Sequence, residues 1–479
     1  MMKYSKVHFY TVLEYLPKFA LLALIPILQQ LIFRPHNFFE IVRSWGITII
    51  LIVLVIFWCI AEYRSIRYHA GADYFYIKNG VLINRECKIP YDFIYSVNVK
   101  NGVIPYFFGA AKLRLDTPAS NSKTSDIRLT LSRRALESAI KNILSEEETE
   151  NLYRSGIFRI LLMVASWANP GVGLLIAAPF INQLGRVLGE EITDRLYSTV
   201  SISMELVALG VPPLAAAIAY LLVAGWAVAM IVQLFRYANF SVIRSGAFLI
   251  IRRGLVSTQK RMIRLSKIGA LSVRQTLFMR IFNLYSAYVQ AVGSQKEKGE
   301  KSMVISAAKY GELEKSLNGL LKLPIKNTRT IQPPKRAIMG FIFLPLMLLT
   351  SIFISWSIIF ISGYHSRVYD TFFLFLALII IWWLILRVTS HRTSGMSVIE
   401  GFLIVSGYRK MSLMSSTIAF DKIQKISVVQ SPLQRFSNLC NVRVFIMSES
   451  REYFFVKNLR LQEVMNIMNI LEINGVRST

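Results

Sequence analysis

A motif that occurs three times constrains the fold of this chain more than any other feature. Its clearest copy runs from Asp421 to Val444, and two earlier copies start at Ile94 and Ile268. Each copy begins with apolar residues at strand-like spacing, continues into a segment rich in phenylalanine or leucine, and ends in a second apolar strand pattern. Because the unit recurs along 479 residues, the chain is expected to contain three copies of one domain.

A glycine between two apolar runs precedes each copy of the motif. These glycines are Gly80, Gly254 and Gly407, which stand 14, 14 and 16 residues before the first isoleucine of their copy. Apolar runs on both sides of a glycine are typical of a β-hairpin, because glycine accepts the positive φ of a tight turn. The sequence therefore predicts a glycine turn at the same place in each domain.

The best preserved parts of the third copy are Ile423 to Val428 and Ser431 to Phe436, which read I-Q-K-I-S-V and S-P-L-Q-R-F. With the glycine turn, they resemble the bacterial pleckstrin-homology-like (PH-like) domain of the YdbT-type membrane protein family. The first copy keeps Ile89-Pro90 but has Tyr95 where glutamine is usual, and the second copy departs most.

This resemblance implies a fold and a location far more than an activity. It implies β-rich PH-like domains in the inner membrane of a bacterium, and it carries no established chemistry to particular residues. It also implies a smaller single-domain PH-like membrane protein as a partner, and a role in envelope homeostasis or in resistance to membrane-active agents. Oligomer formation is left open.

Apolar residues independently indicate a membrane. They make up 54% of the chain, the mean hydropathy is +0.45, and they are grouped in runs such as Trp45 to Ala61 and Val368 to Val388. A helical run of this length reaches across a hydrocarbon core. The sequence therefore predicts a membrane α-helical protein with six transmembrane helices and three β-rich PH-like domains, each closed by a C-terminal helix.

The predicted plan alternates membrane hairpins with polar blocks. The hairpins occupy residues 1–61 (with the N-terminus), 157–235 and 337–388, and the PH-like domains occupy residues 62–156, 236–336 and 389–479. The polar blocks hold 14, 20 and 11 of the 55 Lys and Arg residues. Because loops rich in Lys and Arg stay in the cytoplasm, we expect a multi-pass inner-membrane protein whose domains, N-terminus and C-terminus are cytoplasmic.

The middle polar block is the most basic part of the chain. It carries 20 Lys and Arg residues against four Glu residues, a net charge of +16. Basic side chains beside an anionic leaflet favour contact with phospholipid headgroups, while two alternatives are residues that only enforce topology and an acidic protein partner. The candidate lipid- or partner-binding residues are Lys78, Arg252, Arg253, Lys260, Arg261, Arg264, Lys267, Arg274 and Arg409.

Two pairs of small residues, each pair four positions apart, occur in the predicted fourth span. They are Ala215, Ala219, Gly225 and Ala229. Small side chains at this spacing let two membrane helices approach closely. We therefore expect this stripe to pack against a neighbouring helix.

Residue patterns typical of catalysis or metal binding are absent from the sequence. The three cysteines, Cys59, Cys87 and Cys440, lie far apart and are expected to be reduced and buried, and the five histidines are isolated. Neither a phosphate-binding loop nor a nucleophile motif occurs. We expect no enzymatic activity, metal or cofactor, and no nucleic-acid partner.

Two functions remain for such a chain. The first is a scaffold in the bacterial inner membrane whose cytoplasmic PH-like domains bind lipid or protein. The alternative is a transporter or channel for an apolar or uncharged substrate, because the predicted spans hold few ionisable residues but are interrupted at Asn169-Pro170-Gly171.

Overall fold

The computed structural model describes most of the chain. The described residues are 4–17, 38–117, 127–144, 149–166, 213–291, 302–321, 323, 329–363, 367–409, 412–446 and 453–473. The predicted span at Phe19 to Phe33, the break at Asn169-Pro170-Gly171 and most of the third predicted span lie outside them.

Two compact units make up the chain. Unit 1 holds residues 1–151, 243–252 and 256–267, and unit 2 holds residues 152–242, 253–255 and 268–479. The helices in chain order are α1 (Phe38–Ser65), α2 (Val103–Phe107), α3 (Arg133–Leu144), α4 (Ile157–Ala165), α5 (Pro213–Tyr237), α6 (Leu277–Ile281), α7 (Tyr310–Leu321), α8 (Met339–Ile361), α9 (Arg367–Thr393), α10 (Pro432–Phe436) and α11 (Leu461–Ile473).

The strands fall into three repeated sets, which we call repeats 1, 2 and 3. Strands of repeat 1 are β2 (Arg67–Ala70), β3 (Tyr74–Asn79), β4 (Arg85–Pro90), β5 (Ser96–Asn101), β6 (Ala110–Asp116) and β7 (Ile127–Ser132), while β1 (Ser5–Lys6) precedes α1 and β8 (Thr149–Arg154) follows α3, outside the repeated set. Strands of repeat 2 are β9 (Ser241–Ser245), β10 (Phe248–Arg253), β11 (Thr258–Arg264), β12 (Ile268–Thr276), β13 (Tyr285–Ala291) and β14 (Ser302–Ala308). Strands of repeat 3 are β15 (Gly395–Ile399), β16 (Phe402–Arg409), β17 (Ser412–Ala419), β18 (Ile423–Val429), β19 (Leu439–Ile446) and β20 (Tyr453–Arg460).

Each repeat has the same internal order. Three strands are followed by a 3-10 turn, then by a strand, a five-residue helix, two more strands and a longer amphipathic helix. The five-residue helices α2, α6 and α10 correspond to the phenylalanine- or leucine-rich centre of the sequence motif. The closing helices α3, α7 and α11 confirm the prediction that strands and a C-terminal helix form each repeat.

Successive repeats share their sheets. Strand orders within the described residues are β1-β2-β3-β4, then β7-β6-β5-β11-β10-β9-β8, then β14-β13-β12-β17-β16-β15, and finally β18-β19-β20. Thus β11 of repeat 2 lies antiparallel beside β5 of repeat 1, with Ile263 opposite Ser96. In the same way β17 of repeat 3 lies antiparallel beside β12 of repeat 2, with Ile418 opposite Ala270.

The first core lies inside unit 1, between its sheets and α3. Phe75, Ile94 and Leu115 are fully buried there. The apolar face of α3, which the sequence predicted at helical spacing, adds Leu136 and Ile140 to the same core. Burial of these side chains provides the main favourable free energy for the fold of repeat 1.

The second core lies inside unit 2 and closes repeat 3. Leu403, Val444 and Phe454 are buried between its strands, and Val464 and Leu471 of α11 cover them. The alternation of buried and half-buried residues along β19 is the period-two pattern of a strand with one face on a core.

The prediction of six transmembrane helices is wrong. Among the described residues, two helices are long and apolar enough to cross a membrane, Lys335–Ile361 and Phe372–Thr393. The apolar part of α5, Leu222–Tyr237, is shorter, and α4 ends at Ala165 after nine residues. Hydropathy does not distinguish a lipid-facing side chain from a buried one, and α4 buries Ile160 against protein. The described chain is instead rich in β-sheet.

A short antiparallel bridge joins the chain just before α8 to the chain just after α9. The amide of Ile331 donates to the carbonyl of Met396, and the amide of Met396 donates to the carbonyl of Ile331, both at 2.9 Å. Between α8 and α9, Trp356 Nε1 donates to Asp370 at 2.8 Å. The two helices therefore run side by side in opposite directions, and their outer ends meet at this bridge.

The predicted glycine turn is absent from repeat 3. Gly407 lies inside β16, opposite Met414, because β16 and β17 are each eight residues long. A Cβ atom at this position would stand 2.6 Å from the carbonyl oxygen of Phe455. Gly407 therefore allows β20 to approach the backbone of β16, and the longer strands explain the longer offset from this glycine to the motif.

Candidate functional site

In repeats 1 and 2 the first hairpin touches the end of the preceding helix. The amide of Gly80, in the turn after β3, donates to Ser65 Oγ of α1 at 3.3 Å. In repeat 2 the amide of Gly254 donates to the carbonyl of Ala238 at 2.8 Å, and the amide of Leu255 donates to the carbonyl of Phe235 at 3.0 Å. The glycine turns are thus held at the C-terminal ends of α1 and α5.

These turns carry exposed apolar side chains. The exposed residues are Val81, Leu82 and Ile83 in repeat 1, and Leu255 and Val256 in repeat 2. Apolar side chains at the end of an apolar helix suit the boundary between lipid and water, where the aliphatic part of a headgroup region can cover them.

The five-residue helices expose a second apolar surface. Phe107 of α2 is 82% exposed and Phe436 of α10 is 90% exposed. The local sequence fixes the start of α10 with a capping box. Ser431 Oγ accepts a hydrogen bond from the amide of Gln434, and the Gln434 side chain accepts one from the amide of Ser431. Proline at its first position, Pro432, needs no hydrogen-bond acceptor there.

Two of the predicted basic residues, Lys78 of repeat 1 and Arg264 of repeat 2, form ion pairs within unit 1. Lys78 Nζ lies 2.7 Å from Glu86 Oε1, and together with the hydroxyl of Tyr76 it lowers the pKa of the Glu86 carboxyl. Arg264 pairs with Asp92 at 3.3 Å and donates to the carbonyl of Tyr91 at 3.0 Å. Lys78 and Arg264 therefore stabilise the sheets of unit 1.

Four further predicted residues also lie in unit 1. The ammonium group of Lys267 lies 4.5 Å from the centre of the Tyr95 ring. Burial lowers the pKa of Lys260 in β11, and the nearby charge of Arg252 lowers it further. Arg252 is exposed at the end of β10, and Arg261 is half-buried beside Lys260 in β11.

The remaining predicted residues lie in unit 2. The guanidinium of Arg253 lies 5.2 Å from the centre of the Tyr237 ring, at the end of α5. Arg409 donates to the carbonyl of Tyr453 at 3.5 Å. Arg274 lies in β12, 4.9 Å from the centre of the Tyr288 ring. The nine predicted residues are therefore distributed over several sheets.

A basic cavity lies in unit 2 beside the paired strands β12 and β17. It has a volume of about 240 Å³ and is lined by three arginines, Arg274, Arg280 and Arg329. Thr393, the last residue of α9, also lines it, which places the cavity at the end of an apolar helix. Its other polar lining residues are Gln275, Asn283, Tyr285, Tyr310, Ser406, Ser415 and Thr417.

The electrostatics of this cavity favour an anion. Burial lowers the pKa of Arg329, and the charge of Arg280 lowers it further. Like charges held together in a partly desolvated site are costly, and a bound anion relieves this cost. No acidic residue occurs among the described residues that line the cavity. Guanidinium groups also match the oxygen geometry of phosphate, so a phosphate group is the anion that this site fits best.

Sequence reasoning missed two of the three arginines. Arg280 lies in α6 at the place that Arg435 occupies in α10, so the internal repeat contained a signal for it. Arg329 lies ahead of α8, outside the repeated motif, and reaches the cavity while its Nη1 donates to the carbonyl of Arg392 at 2.8 Å. Only the tertiary structure brings it to Arg274.

A second cavity lies along the helices α8 and α9. It is an apolar groove of about 810 Å³ whose lining includes Leu349, Phe353 and Leu374, with Trp356 and Asp370 at one place. An acyl chain is the kind of group that an apolar groove on membrane helices accommodates.

The small-residue stripe of α5 is described in part. Gly225 and Ala229 are buried, and Trp226 Nε1 beside them donates to the carbonyl of Ala165 in α4 at 3.2 Å. The side chains of Ala215 and Ala219 lie outside the described set. The two described positions are therefore buried on the helix that Trp226 joins to α4, and their close packing against a neighbouring helix stays a prediction.

The cysteines differ from one another in exposure. Cys59 and Cys440 are buried, whereas Cys87 is exposed on β4, so the expectation of three buried thiols is wrong for Cys87. Burial raises the pKa of the Cys440 thiol to about 11. Across the described residues, no three His, Cys, Asp or Glu side chains are grouped closely enough to hold a metal ion.

The sequence of the chain matches a known protein family. The family described as "Bacterial PH domain" matches three stretches of the chain, residues 16–148, 193–321 and 339–469. The chain belongs to the bacterial PH domain family. The resemblance recognised in the sequence motif is therefore confirmed. Each match starts ahead of the β-strands of its repeat, so the bacterial PH domain match includes the helical segment that precedes the sheets.

A curated relative supports a membrane location for this bacterial PH domain protein. The UPF0699 transmembrane protein YdbT of Bacillus subtilis (strain 168) is 27% identical over 299 residues. The alignment covers 55% of this chain and 58% of that relative, so the chain spans less than two thirds of the relative's length. The relative's name and the two long apolar helices together support association with a membrane.

Proposed function

We propose that this bacterial PH domain protein is a membrane-anchored scaffold that holds the phosphate of an anionic phospholipid headgroup in the cavity around Arg274, Arg280 and Arg329. The observation that carries the proposal is that three arginines line one cavity at the end of α9. The role is binding, and the proposal assigns no catalytic step to the chain.

The position of the cavity supports a lipid as the source of the phosphate. Thr393 ends an apolar helix long enough to cross a membrane and also lines the cavity. A headgroup at this helix end would keep its acyl chains on the apolar side of the boundary. The cavity is smaller than a typical pocket for a drug-sized ligand, which suits a headgroup alone.

Charge supports a cytoplasmic placement of the domains. Residues 236–336 carry a net charge of +16, and positively charged segments stay on the cytoplasmic side of a bacterial membrane. The hydrogen bonds between Ile331 and Met396 bring the two outer ends of the α8–α9 hairpin together. Repeats 2 and 3 therefore leave the hairpin on one side, which we assign to the cytoplasm.

Transport of an apolar substrate stays a separate prediction, to which the apolar groove between α8 and α9 is relevant. It offers surface to an apolar molecule, but its lining suits the acyl chains of the surrounding lipid equally well. Three arginines line the arginine cavity and no acidic side chain among the described residues does, and for this reason binding is the function that we propose.

The test is calorimetric titration of the full chain, purified in a neutral detergent, with short-chain phosphatidylglycerol. Short-chain phosphatidylcholine provides the neutral lipid, and glycerol phosphate distinguishes the phosphate from the complete lipid. We expect the anionic lipid to bind more tightly than either, with affinity that falls as salt rises.

The decisive variant is Arg280→Gln, with Arg435→Gln as the matched control. Arg435 occupies the same place in α10 and is exposed, as Arg280 is, but it lies outside the cavity. Loss of one charge-assisted hydrogen bond, worth about 1.5–3 kcal/mol, should weaken phosphatidylglycerol binding at least tenfold in Arg280→Gln and leave it unchanged in Arg435→Gln. Equal affinity for the two lipids, or equal loss in both variants, would contradict the proposal.

A further inference from the structure

The sheets that successive repeats share follow one rule. The third strand of a repeat lies beside the fourth strand of the repeat before it, as β11 lies beside β5 and β17 beside β12. Both contacts are antiparallel; the contact of β11 with β5 lies inside unit 1 and that of β17 with β12 lies inside unit 2. The pairing extends over six residues of β11 and seven residues of β17.

The register of the two contacts is also the same. Ile263 lies opposite Ser96, and Ile418 lies opposite Ala270. Ile263 and Ile418 each stand five residues before the first isoleucine of their own motif copy. Ser96 and Ala270 each stand two residues after the first isoleucine of the preceding copy. The rule therefore fixes the alignment residue by residue. In repeat 1 the position equivalent to Ile263 is Ile89.

Two strands in these positions have no second neighbouring strand within the described residues. The third strand of repeat 1, β4, is the outer strand of its sheet, and all of its residues except Ile89 are exposed. The fourth strand of repeat 3, β18, is the outer strand of the last sheet. An uncovered edge presents unpaired amides and carbonyls that can bond to another strand.

The residue of β18 that is equivalent to buried residues of β5 and β12 is exposed. Ser96 in β5 is 0% exposed and Ala270 in β12 is 2% exposed, because a neighbouring strand covers each of them. The equivalent residue of β18, Lys425, is exposed, and so is Gln424 before it. Strand β18 thus has the sequence pattern of β5 and β12 without their cover.

We propose that β18 of one chain pairs with β4 of a second copy of this chain. The pairing is antiparallel and follows the register of the two internal contacts, with Ile89 opposite Lys425 and Cys87 opposite Ser427. Contacts of this kind join unlike surfaces head to tail, so each copy has one site of each type. The proposal does not depend on lipid binding at the arginine cavity.

The charged residues of β4 are compatible with this contact. Strand β4 carries Arg85, Glu86 and Lys88, yet β11 pairs with β5 while carrying Lys260 and Arg261. Charges on an edge strand discourage unspecific pairing, so they select a partner with a matching register.

Pro90 sets the limit of the pairing. The equivalent residue of repeat 2, Arg264, donates its amide to the carbonyl of Tyr95 at 3.1 Å. Proline has no amide proton, so the contact ends at Ile89 and is shorter by this hydrogen bond.

The side-chain distance in an internal contact shows how to trap the proposed one. Ser272 and Ser416 lie opposite each other on β12 and β17, with their hydroxyl oxygens 2.9 Å apart. Cys87 and Ser427 are the equivalent pair. A cysteine at position 427 would therefore meet the native Cys87 of a second copy at a separation suited to a disulfide.

The experiment is mild oxidation of the full-length Ser427→Cys variant in its membrane, followed by a nonreducing gel. We expect the 54.6 kDa chain to shift to a ladder of bands that begins at twice its mass, because each copy carries both strands, and to return on reduction. The shift should be lost when Cys87→Ser is added, and it should be several-fold weaker in Val428→Cys, whose side chain points to the other face of the strand.

A second cysteine pair guards against local misfolding of the first. Arg85 and Val429 are opposite in the same register and both are exposed, so Arg85→Cys with Val429→Cys in the Cys87→Ser background should give the same shift. Absence of a dimer with both pairs overturns the proposal. A shift that persists without Cys87 in the first variant, or crosslinking of β18 to a different protein, also overturns it.

Discussion

At the scale of single residues, the repeats show which glycines the backbone requires. Gly80 has φ +117°, and a Cβ atom there would collide with the carbonyl of Ile83. Gly109 has φ +68° with open space around its Cβ position. Asn283 and Asn438 take the place of Gly109 in the other repeats, with φ of 54° and 51°. One glycine is therefore required by space, while the other occupies a left-handed position that asparagine also accepts.

This difference predicts that substitution of Gly80 destabilises the chain more than substitution of Gly109. Gly80→Ala should lower the free energy of unfolding by about 2 kcal/mol or more, because the new side chain is strained and meets backbone. Gly109→Asn should change it by about 1 kcal/mol or less. Thermal unfolding of the two full-length variants under the same conditions measures the difference. Equal destabilisation would show that the turn after β3 is more adaptable than its geometry indicates.

At the scale of elements, close approach explains features that hydropathy alone does not. The hydrogen bond from Trp226 Nε1 to the carbonyl of Ala165 joins α5 to α4, and the small residues Gly225 and Ala229 near Trp226 on α5 are buried. Strand β16 likewise has Gly407 where the carbonyl of Phe455 approaches. Each element is therefore fixed by its neighbour as well as by its own sequence.

The helix contact gives the second prediction. Gly225→Leu should force α5 away from α4 and destabilise the purified chain by about 1–3 kcal/mol, as overpacking usually does. Ala224→Leu is the matched control, because Ala224 is exposed on the same helix. Thermal unfolding followed by tryptophan fluorescence tests both variants. A larger loss in Ala224→Leu would mean that the opposite face of α5 makes the important contact.

At the scale of the whole molecule, a single repeat is not a separate folding unit. Strands β11 and β12 of repeat 2 obtain their outer hydrogen bonds from β5 of repeat 1 and from β17 of repeat 3. A domain boundary drawn between polar blocks therefore cuts through two sheets. Neighbouring repeats stabilise one another by completing each other's edges.

Removal of the neighbours gives the third prediction. A fragment of residues 236–336 should be unfolded or aggregated, because it exposes the edges of both β11 and β12. Hydrogen exchange of the full chain should show the β11 and β12 amides protected. Circular dichroism and gel filtration of the fragment provide the comparison. A monomeric, cooperatively folded fragment would contradict the dependence on neighbouring repeats.

Much of the local structure was predictable from particular residues. Ser431, Pro432 and Gln434 specify a capped helix start, and the spacing of Leu136 and Ile140 specifies the buried face of α3. The arginine cavity was predictable only in part. Arg274 belongs to a basic strand and Arg280 to the repeated motif, whereas Arg329 comes from a segment without a recognisable pattern.

The sequence by itself determined the threefold repeat, the family, the strand and helix periodicity inside each repeat, and the excess of basic charge. These features depend on side chains a few residues apart, which interact through local geometry. Only the tertiary structure decided that β11 joins β5, that β17 joins β12, and that Arg329 meets Arg274. It also decided which apolar runs form long helices and which are buried against protein, because hydropathy measures avoidance of water and does not specify what replaces the water.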